Sequence, residues 1–258
     1  MKKLLAVVLV VAMLVVGLTA CTNNSPENDL ANIQKAGKIV VGITDYAPMD
    51  YKENGEWTGF DAEFAKLVAA KLGVEVEFIE IDWDNKFFEL ESGTIDCIWN
   101  GMTLTDDVKN NTSYSTPYVK NAQVVVMAAD KVGNYTDFES MKGLTFAVEK
   151  GSAGDLELQA LGAENVVQVD YQSTALMEVA AGSADACVID ITMANAMIGE
   201  GTSYANLAYS LELSSEVYVI GFREGSSLTD KVNAIIDELY ADGTLTALAE
   251  KYELTLAF

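Results

Sequence analysis

Residues 93–100 read GTIDCIWN and residues 182–190 read GSADACVID. Each opens on glycine and a hydroxyl residue, carries an aspartate, and runs through an apolar stretch to a polar end, Asn100 or Asp190. The surroundings of both repeat one alternation of periods. Ile39 to Gly42 is a β-branched run; Phe60, Phe64, Leu67, Val68 and Leu72 then recur at helical spacing up to Gly73. Val74, Val76 and Phe78 alternate with Glu75 and Glu77, as in a strand with one exposed face, and a helical stretch near Phe87 to Leu90 stops before Gly93. The second region repeats the scheme: GLTFAV (143–148) and NVVQV (165–169) read as strands, 153–161 and 173–181 as helices. Val232, Ile235, Ile236 and Leu239 mark a later amphipathic helix, ADGT (241–244) breaks it, and a last helix runs to about Tyr252. Tandem strand–helix–strand units predict an α/β fold with mainly parallel sheets. Ligands of open α/β sheets sit beyond the carboxyl ends of strands. Two regions whose strands end in Asn100 and Asp190 therefore predict two lobes facing one cleft.

The chain has 258 residues, half of them hydrophobic, enough for one large α/β domain or two smaller ones. Its net charge of −23 argues against nucleic acid, which requires basic groups to neutralise phosphate. The acidity is dispersed, as on a soluble surface, and favours cationic or zwitterionic ligands. There is no histidine, so histidine-dependent triads, His–Zn sites and imidazole switches are excluded. No metal and no cofactor are expected. Cys97 and Cys187 lie in apolar strand-like runs and are expected to be buried and free.

The beginning of the chain reads as a leader. Lys2 and Lys3 precede an apolar run from Leu4 to Val16, shorter than the about 20 residues of a membrane span. Gly17-Leu18-Thr19-Ala20-Cys21 resembles the lipobox of bacterial lipoproteins. Residues 1–20 are thus expected to be a signal peptide, Cys21 the site of lipid attachment, and residues 21–35 a lipidated N-terminus and tether that includes the polar TNNSPENDL (22–30).

Beyond the leader the chain resembles the extracytoplasmic substrate-binding proteins of amino-acid ABC transporters (solute-binding family 3). The resemblance spans roughly residues 36 to 256. It is carried by YAPMDY (46–51), GEWTGFDAEFAKLVAAKLGVEVEF (55–78), SGTIDCIWNGMTLT (92–105) and STPYVKNAQVVV (115–126). MKGLTFAVEKGSAG (141–154), AGSADACVID (181–190), VYVIGFREGS (217–226) and LYADGTLTALAEKY (239–252) continue it in order. It implies a two-lobed periplasmic-binding-protein-like fold (type II), with two crossing strands near NAQVV (121–125) and SEVYV (215–219). Lobe 1 would hold residues 36–122 and 216–258, and lobe 2 residues 123–215.

The same resemblance implies the site. Tyr46 would face the ligand with its ring and offer its hydroxyl to the rim, and Trp83 lies in a loop that reaches the cleft in the family. Asp45 could meet a cationic side chain but reads as an exposed turn residue. Asn100, Gly101, Thr103 and Thr105 would line lobe 1 with oriented hydrogen-bonding groups. Thr105 also reads as an N-cap, with Asp106 and Asp107 in the first helical turn. In KGSAG (150–154), Ser152 and Ala153 open a helix whose N–H groups suit an anion. Asp190 corresponds to the acid that holds a ligand's α-amino group, and could instead cap the helix after it. One position departs from the pattern: many members clamp the α-carboxylate with an arginine where this chain has Val108. The single arginine, Arg223, follows the returning strand and is expected away from the cleft. Either the carboxylate is held by the Ser152 helix start, the threonines and a lysine such as Lys109, Lys120 or Lys150, or the ligand is an amine lacking that carboxylate.

The expected function is capture of a small amine-bearing solute, foremost an amino acid, outside the cell membrane and its delivery to an ABC permease. The protein would act as a monomer held to the membrane by its lipid. A non-amino-acid cation is the alternative ligand. An enzyme of the same fold, such as a small-acid dehydratase, needs positioned acid–base groups that the motifs do not supply. A sensory domain would need a transmembrane or signalling segment after the last helix, and none is expected.

Overall fold

The computed structural model describes residues 25–258. The leader and lipobox readings, Cys21 included, lie outside the described residues. The chain runs through α1 (Asp29–Ala36), β1 (Lys38–Ile43), a hairpin of β2 (Tyr51–Glu53) and β3 (Glu56–Thr58), α2 (Phe60–Leu72), β4 (Glu75–Glu80), α3 (Lys86–Ser92), β5 (Cys97–Thr103), α4 (Asp106–Asn111), β6 (Ser113–Tyr114) and β7 (Val119–Asn121). It continues through β8 (Gln123–Ala128), β9 (Thr145–Glu149), α5 (Ala153–Leu161), β10 (Asn165–Val169), α6 (Gln172–Ala181), β11 (Ala186–Asp190), α7 (Ile191–Met197) and β12 (Leu207–Glu212). It closes with β13 (Glu216–Phe222), α8 (Leu228–Ala241) and α9 (Thr244–Lys251).

These elements build two lobes, each around its own sheet. One sheet has the order β4-β1-β5-β13-β6, with β7 also on β13; the other is β10-β9-β11-β8-β12. β1 runs parallel to β4 and β5, and β9 parallel to β10 and β11. The remaining pairings in both sheets are antiparallel. The expectation of mainly parallel sheets is therefore corrected to mixed ones. The two passages between sheets, β7 to β8 through Ala122 and β12 to β13 through residues 213–215, lay strands against the direction of the βαβ units.

Local chemistry explains the helices. α2 buries Phe60, Phe64, Val68 and Leu72 along one stripe, carries Asp61 and Glu63 in its first turn, and ends at Gly73 in the left-handed region (φ +75°). Each large side chain so buried is worth about 1.5–3 kcal/mol. Phe64 meets Trp99 of β5 edge-on at 5.0 Å and Tyr118 at 5.7 Å, fixing α2 behind the strand that leads to the cleft.

α1 differs from expectation. Residues 29–35, which composition assigns to the tether, form a helix that buries Ile33 and Asp29. Asp29 accepts from Arg223 Nη2 at 2.7 Å and Nε at 3.2 Å, and from Ser226 Oγ at 2.6 Å. The anchoring partner lies 194 residues away, beyond any local signal. Cys97 and Cys187 are buried and free.

Candidate ligand-binding site

Between the lobes lies a cleft of about 490 Å³ of empty space, partly open to solvent. Tyr46, Trp83, Asn100, Gly101, Thr103, Thr105, Ser152, Ala153 and Asp190 all border it. The reason is topological: β5, β9 and β11 point their carboxyl ends at this gap, and the loops after them supply the walls.

On the β5 side the backbone is held from behind. Gly101 has φ +55°, and a Cβ there would stand 2.5 Å from Tyr46 Cε1, so only glycine fits. Its N–H donates to Asp61 Oδ2 at 2.6 Å, which also accepts from the Tyr118 hydroxyl at 2.8 Å. Burial raises the Asp61 carboxyl to about 7. Asn100 donates to Thr44 Oγ1 at 2.7 Å and accepts the Thr44 N–H at 2.8 Å, tying β5 to β1. Thr103 donates to Glu216 Oε2 at 3.0 Å. Thr105 accepts from the Val108 N–H at 3.2 Å, so it caps α4 and borders the cleft at once. Val108 is buried among Ile98, Met102 and Val219.

Tyr46 uses its hydroxyl internally. It bonds Thr192 Oγ1 at 2.7 Å and the Tyr218 hydroxyl at 2.5 Å. The ring faces the cleft, while the hydroxyl joins the lobes near their crossing. Asp45 is exposed and absent from the walls.

On the opposite wall, Asp190 is 4% exposed and receives three amides. Oδ1 accepts from Asn121 and from Gln123 Nε2 at 2.7 Å, and Oδ2 accepts from Gln172. Asp190 occupies the N-cap position of α7 without a side-chain capping bond. Burial raises its carboxyl to about 6, helped by Glu216 and opposed by the amides, so it is ionised at neutral pH. It forms no ion pair among the described residues, a costly state for a buried anion unless a cation joins it. Ser152 caps α5 by accepting from the Asp155 N–H at 3.2 Å.

The wall residues that the motifs did not point to include Lys86, Phe87, Glu149 and Gln172. Glu149 is the last residue of β9, so the strand-end rule that picked Asn100 and Asp190 reaches it too. Burial and the neighbouring Asp190 push its carboxyl up to about 8. Lys86 opens α3, where the helix dipole disfavours a cation; a lysine at that end is a signal that something else holds it. None of the lysines proposed for a carboxylate borders the cleft. Lys109 pairs with Asp106 at 2.9 Å, Lys150 with Asp84 at 2.7 Å, and Lys120 lies outside the walls. Arg223 is engaged with Asp29, away from the cleft.

The model of the bacterial extracellular solute-binding proteins, family 3, matches residues 39–255. The probable amino-acid-binding protein YxeM of Bacillus subtilis is 32% identical over 95% of this chain and 93% of its own. The arginine-binding extracellular protein ArtP of the same organism is 28% identical over 98% of each chain. A solved ABC uptake transporter substrate-binding protein from Streptococcus pneumoniae with bound histidine superposes with a TM-score of 0.81 at 29% identity, covering 88% of this chain and 97% of its own.

Proposed function

Since this chain belongs to the bacterial extracellular solute-binding proteins, family 3, we propose that it captures an amino acid outside the cell membrane and delivers it to the permease of an ABC transporter. The observation that carries this reading is Asp190: a buried carboxyl on the cleft wall, both oxygens fixed by three amide donors and, among the described residues, left without a protein cation. A ligand ammonium supplies that missing partner through a charge-assisted hydrogen bond. The ring faces of Tyr46 and Trp83 cover the ligand's apolar part, and Thr103, Thr105, Ser152 and the Ala153 amide supply polar contacts around it. Glu149, protonated or ionised according to what faces it, contacts the ligand's side chain.

Lobe 1 comprises residues 36–122 and 216–258 and lobe 2 residues 123–215, an assignment supported by which strands share each sheet. The protein works as a monomer outside the membrane, attached through lipid on Cys21 after loss of residues 1–20. It returns its ligand chemically unchanged, so an amino acid recovered intact after prolonged incubation separates this reading from an enzymatic one.

The test is calorimetric titration of the mature protein and of Asp190→Asn with each of the protein amino acids and L-cystine. At least one should bind the wild type, and the variant should lose about 100-fold or more in affinity while unfolding as cooperatively as the wild type. Equal affinity in Asp190→Asn would remove Asp190 from the site. Failure of every amino acid to bind would remove the amino-acid reading.

A further inference from the structure

The cleft holds one cation, and it is placed where a ligand anion would meet it. Lys86 is 7% exposed, on the first turn of α3, and among the cleft-lining residues it is the only one bearing a positive charge. Its Nζ donates to the Trp83 carbonyl at 3.1 Å and, across the gap between lobes, to the Gly151 carbonyl at 3.0 Å. The Trp83 and Phe87 rings flank it, with centroids at 4.8 and 4.9 Å. An ammonium has three N–H donors. Among the described residues two are taken, both by neutral carbonyls, and no carboxylate pairs with it. The remaining cations are committed or distant, as described above for Lys109, Lys150 and Arg223.

A buried charge with only carbonyl partners costs stability, and aromatic walls that exclude water strengthen whatever anion completes it. Burial depresses the Lys86 ammonium to about 8, opposed chiefly by the nearby Glu149 carboxyl, which burial in turn raises. Among the described residues the cleft walls thus carry three acids, Asp190, Glu149 and Asp107, and a single cation, Lys86.

We infer that Lys86 holds the ligand's carboxylate, so that the cleft reads a zwitterion end to end and selects α-amino acids over the corresponding amines. This rests on the amino-acid reading of the site and adds a residue for the group that Val108 cannot hold. Because the same ammonium bonds Gly151 of the facing lobe, carboxylate binding and lobe closure share one group. Lys86 thereby senses the presence of a carboxylate at the point where the lobes meet.

The experiment compares wild type, Lys86→Met and Lys86→Arg by calorimetry against three matched pairs: L-arginine and agmatine, L-histidine and histamine, L-lysine and cadaverine. Wild type should bind at least one amino acid and bind its amine at least 100-fold more weakly. Lys86→Met should lose about 100-fold for that amino acid and leave the amine unchanged or tighter, and Lys86→Arg should retain most of the discrimination. Thermal unfolding of each ligand-free variant checks that the fold persists. Wild-type affinity of Lys86→Met for the amino acid overturns the inference while the amino-acid reading stands. Equal binding of acid and amine by the wild type overturns it too, leaving Lys86 as a neutraliser of the wall acids. If no pair binds the wild type but another amino acid does, its own amide replaces the amine as the comparison. If no amino acid binds at all, the functional reading and this inference fall together.

Discussion

Glu149 stands at the end of β9 with 4% exposure, and burial beside Asp190 raises its carboxyl from the ordinary glutamate range to about 8. The folded protein thus holds this proton more tightly than the unfolded chain. By linkage its contribution to stability is most favourable below the ordinary value and declines as pH rises toward 8. Asp190 and Asp61, raised to about 6 and about 7, act in the same direction over narrower windows. Lys86 acts oppositely: with its pKa depressed to about 8, stability recovers as pH rises from there to the ordinary lysine value. Glu149→Gln removes one titration and, with it, the attraction that partly offsets the depression of Lys86. It should stabilise the ligand-free protein by about 1–3 kcal/mol at pH 8.5 and change little at pH 4.5, read by calorimetric unfolding at both. A difference independent of pH would mean that the Glu149 charge is not what burial penalises. At this scale the sequence pointed to Asn100, Gly101 and Asp190 through recognisable apolar strands, although β5 runs on to Thr103, past the end expected at Asn100. Lys86 stayed hidden: KFFEL reads as a helix start, and nothing local says that its ammonium faces the other lobe.

The helices divide by how their stability is stored. α2 and α8 announce themselves, since Phe60, Phe64 and Val68, or Val232, Ile236 and Leu239, recur at the spacing that buries one face. α1 does not. It is 8 residues long, too short to be stable alone, and buries Ile33 and one carboxylate. Its place depends on the buried pair of Asp29 with Arg223, whose guanidinium also donates to the carbonyls of Leu90 and Ile95. The sole arginine of the chain thus joins α1 to the end of α3 and the turn before β5. Asp29→Ala removes the charged hydrogen bonds that anchor α1 but leaves Arg223 beside Asp96 at 3.6 Å, so it should cost about 2–3 kcal/mol and lower Tm by roughly 5–10 °C. Amino-acid affinity measured well below Tm should be unchanged, since Asp29 lies outside the cleft walls. A loss of less than about 1 kcal/mol would show that α1 contributes little to the lobe.

For the whole molecule the informative contacts are those across the cleft mouth. Lys86 reaches the Gly151 carbonyl, Lys150 pairs with Asp84 at 2.7 Å, and the Tyr171 hydroxyl donates to Glu80 at 3.4 Å. The exposed ion pair is worth about 0–1 kcal/mol, so closure rests on close packing as much as on charge. Gly151 (φ +70°) shows this: a Cβ there would lie 2.9 Å from Asp84 Oδ1 and 3.2 Å from Asp84 Cα. Gly151→Ala should therefore hold the lobes apart. Its affinity for the amino acid identified by titration should fall about 10-fold or more. The ligand-induced decrease in radius of gyration by small-angle scattering should shrink, while unfolding of the ligand-free protein shifts by only about 1 kcal/mol. Undiminished compaction would show that the lobes close without this approach.

Taken by itself the sequence determined the strand–helix–strand units and the facing of two regions, but not the antiparallel pairings that make both sheets mixed. Alternating periods fixed the βαβ units, and the polar ends of GTIDCIWN and GSADACVID placed two walls of one cleft. These are local properties, written in the spacing of apolar residues and in the residue that follows each strand. Tertiary structure alone decided which charges face the ligand and which hold the fold. Lys86 meets Gly151 across 65 residues, and Asp29 meets Arg223 across 194. Such pairings depend on how lobes and helices approach in space. Neither period nor composition encodes that approach, so the cation of the cleft and the anchor of α1 became visible only once the chain was folded.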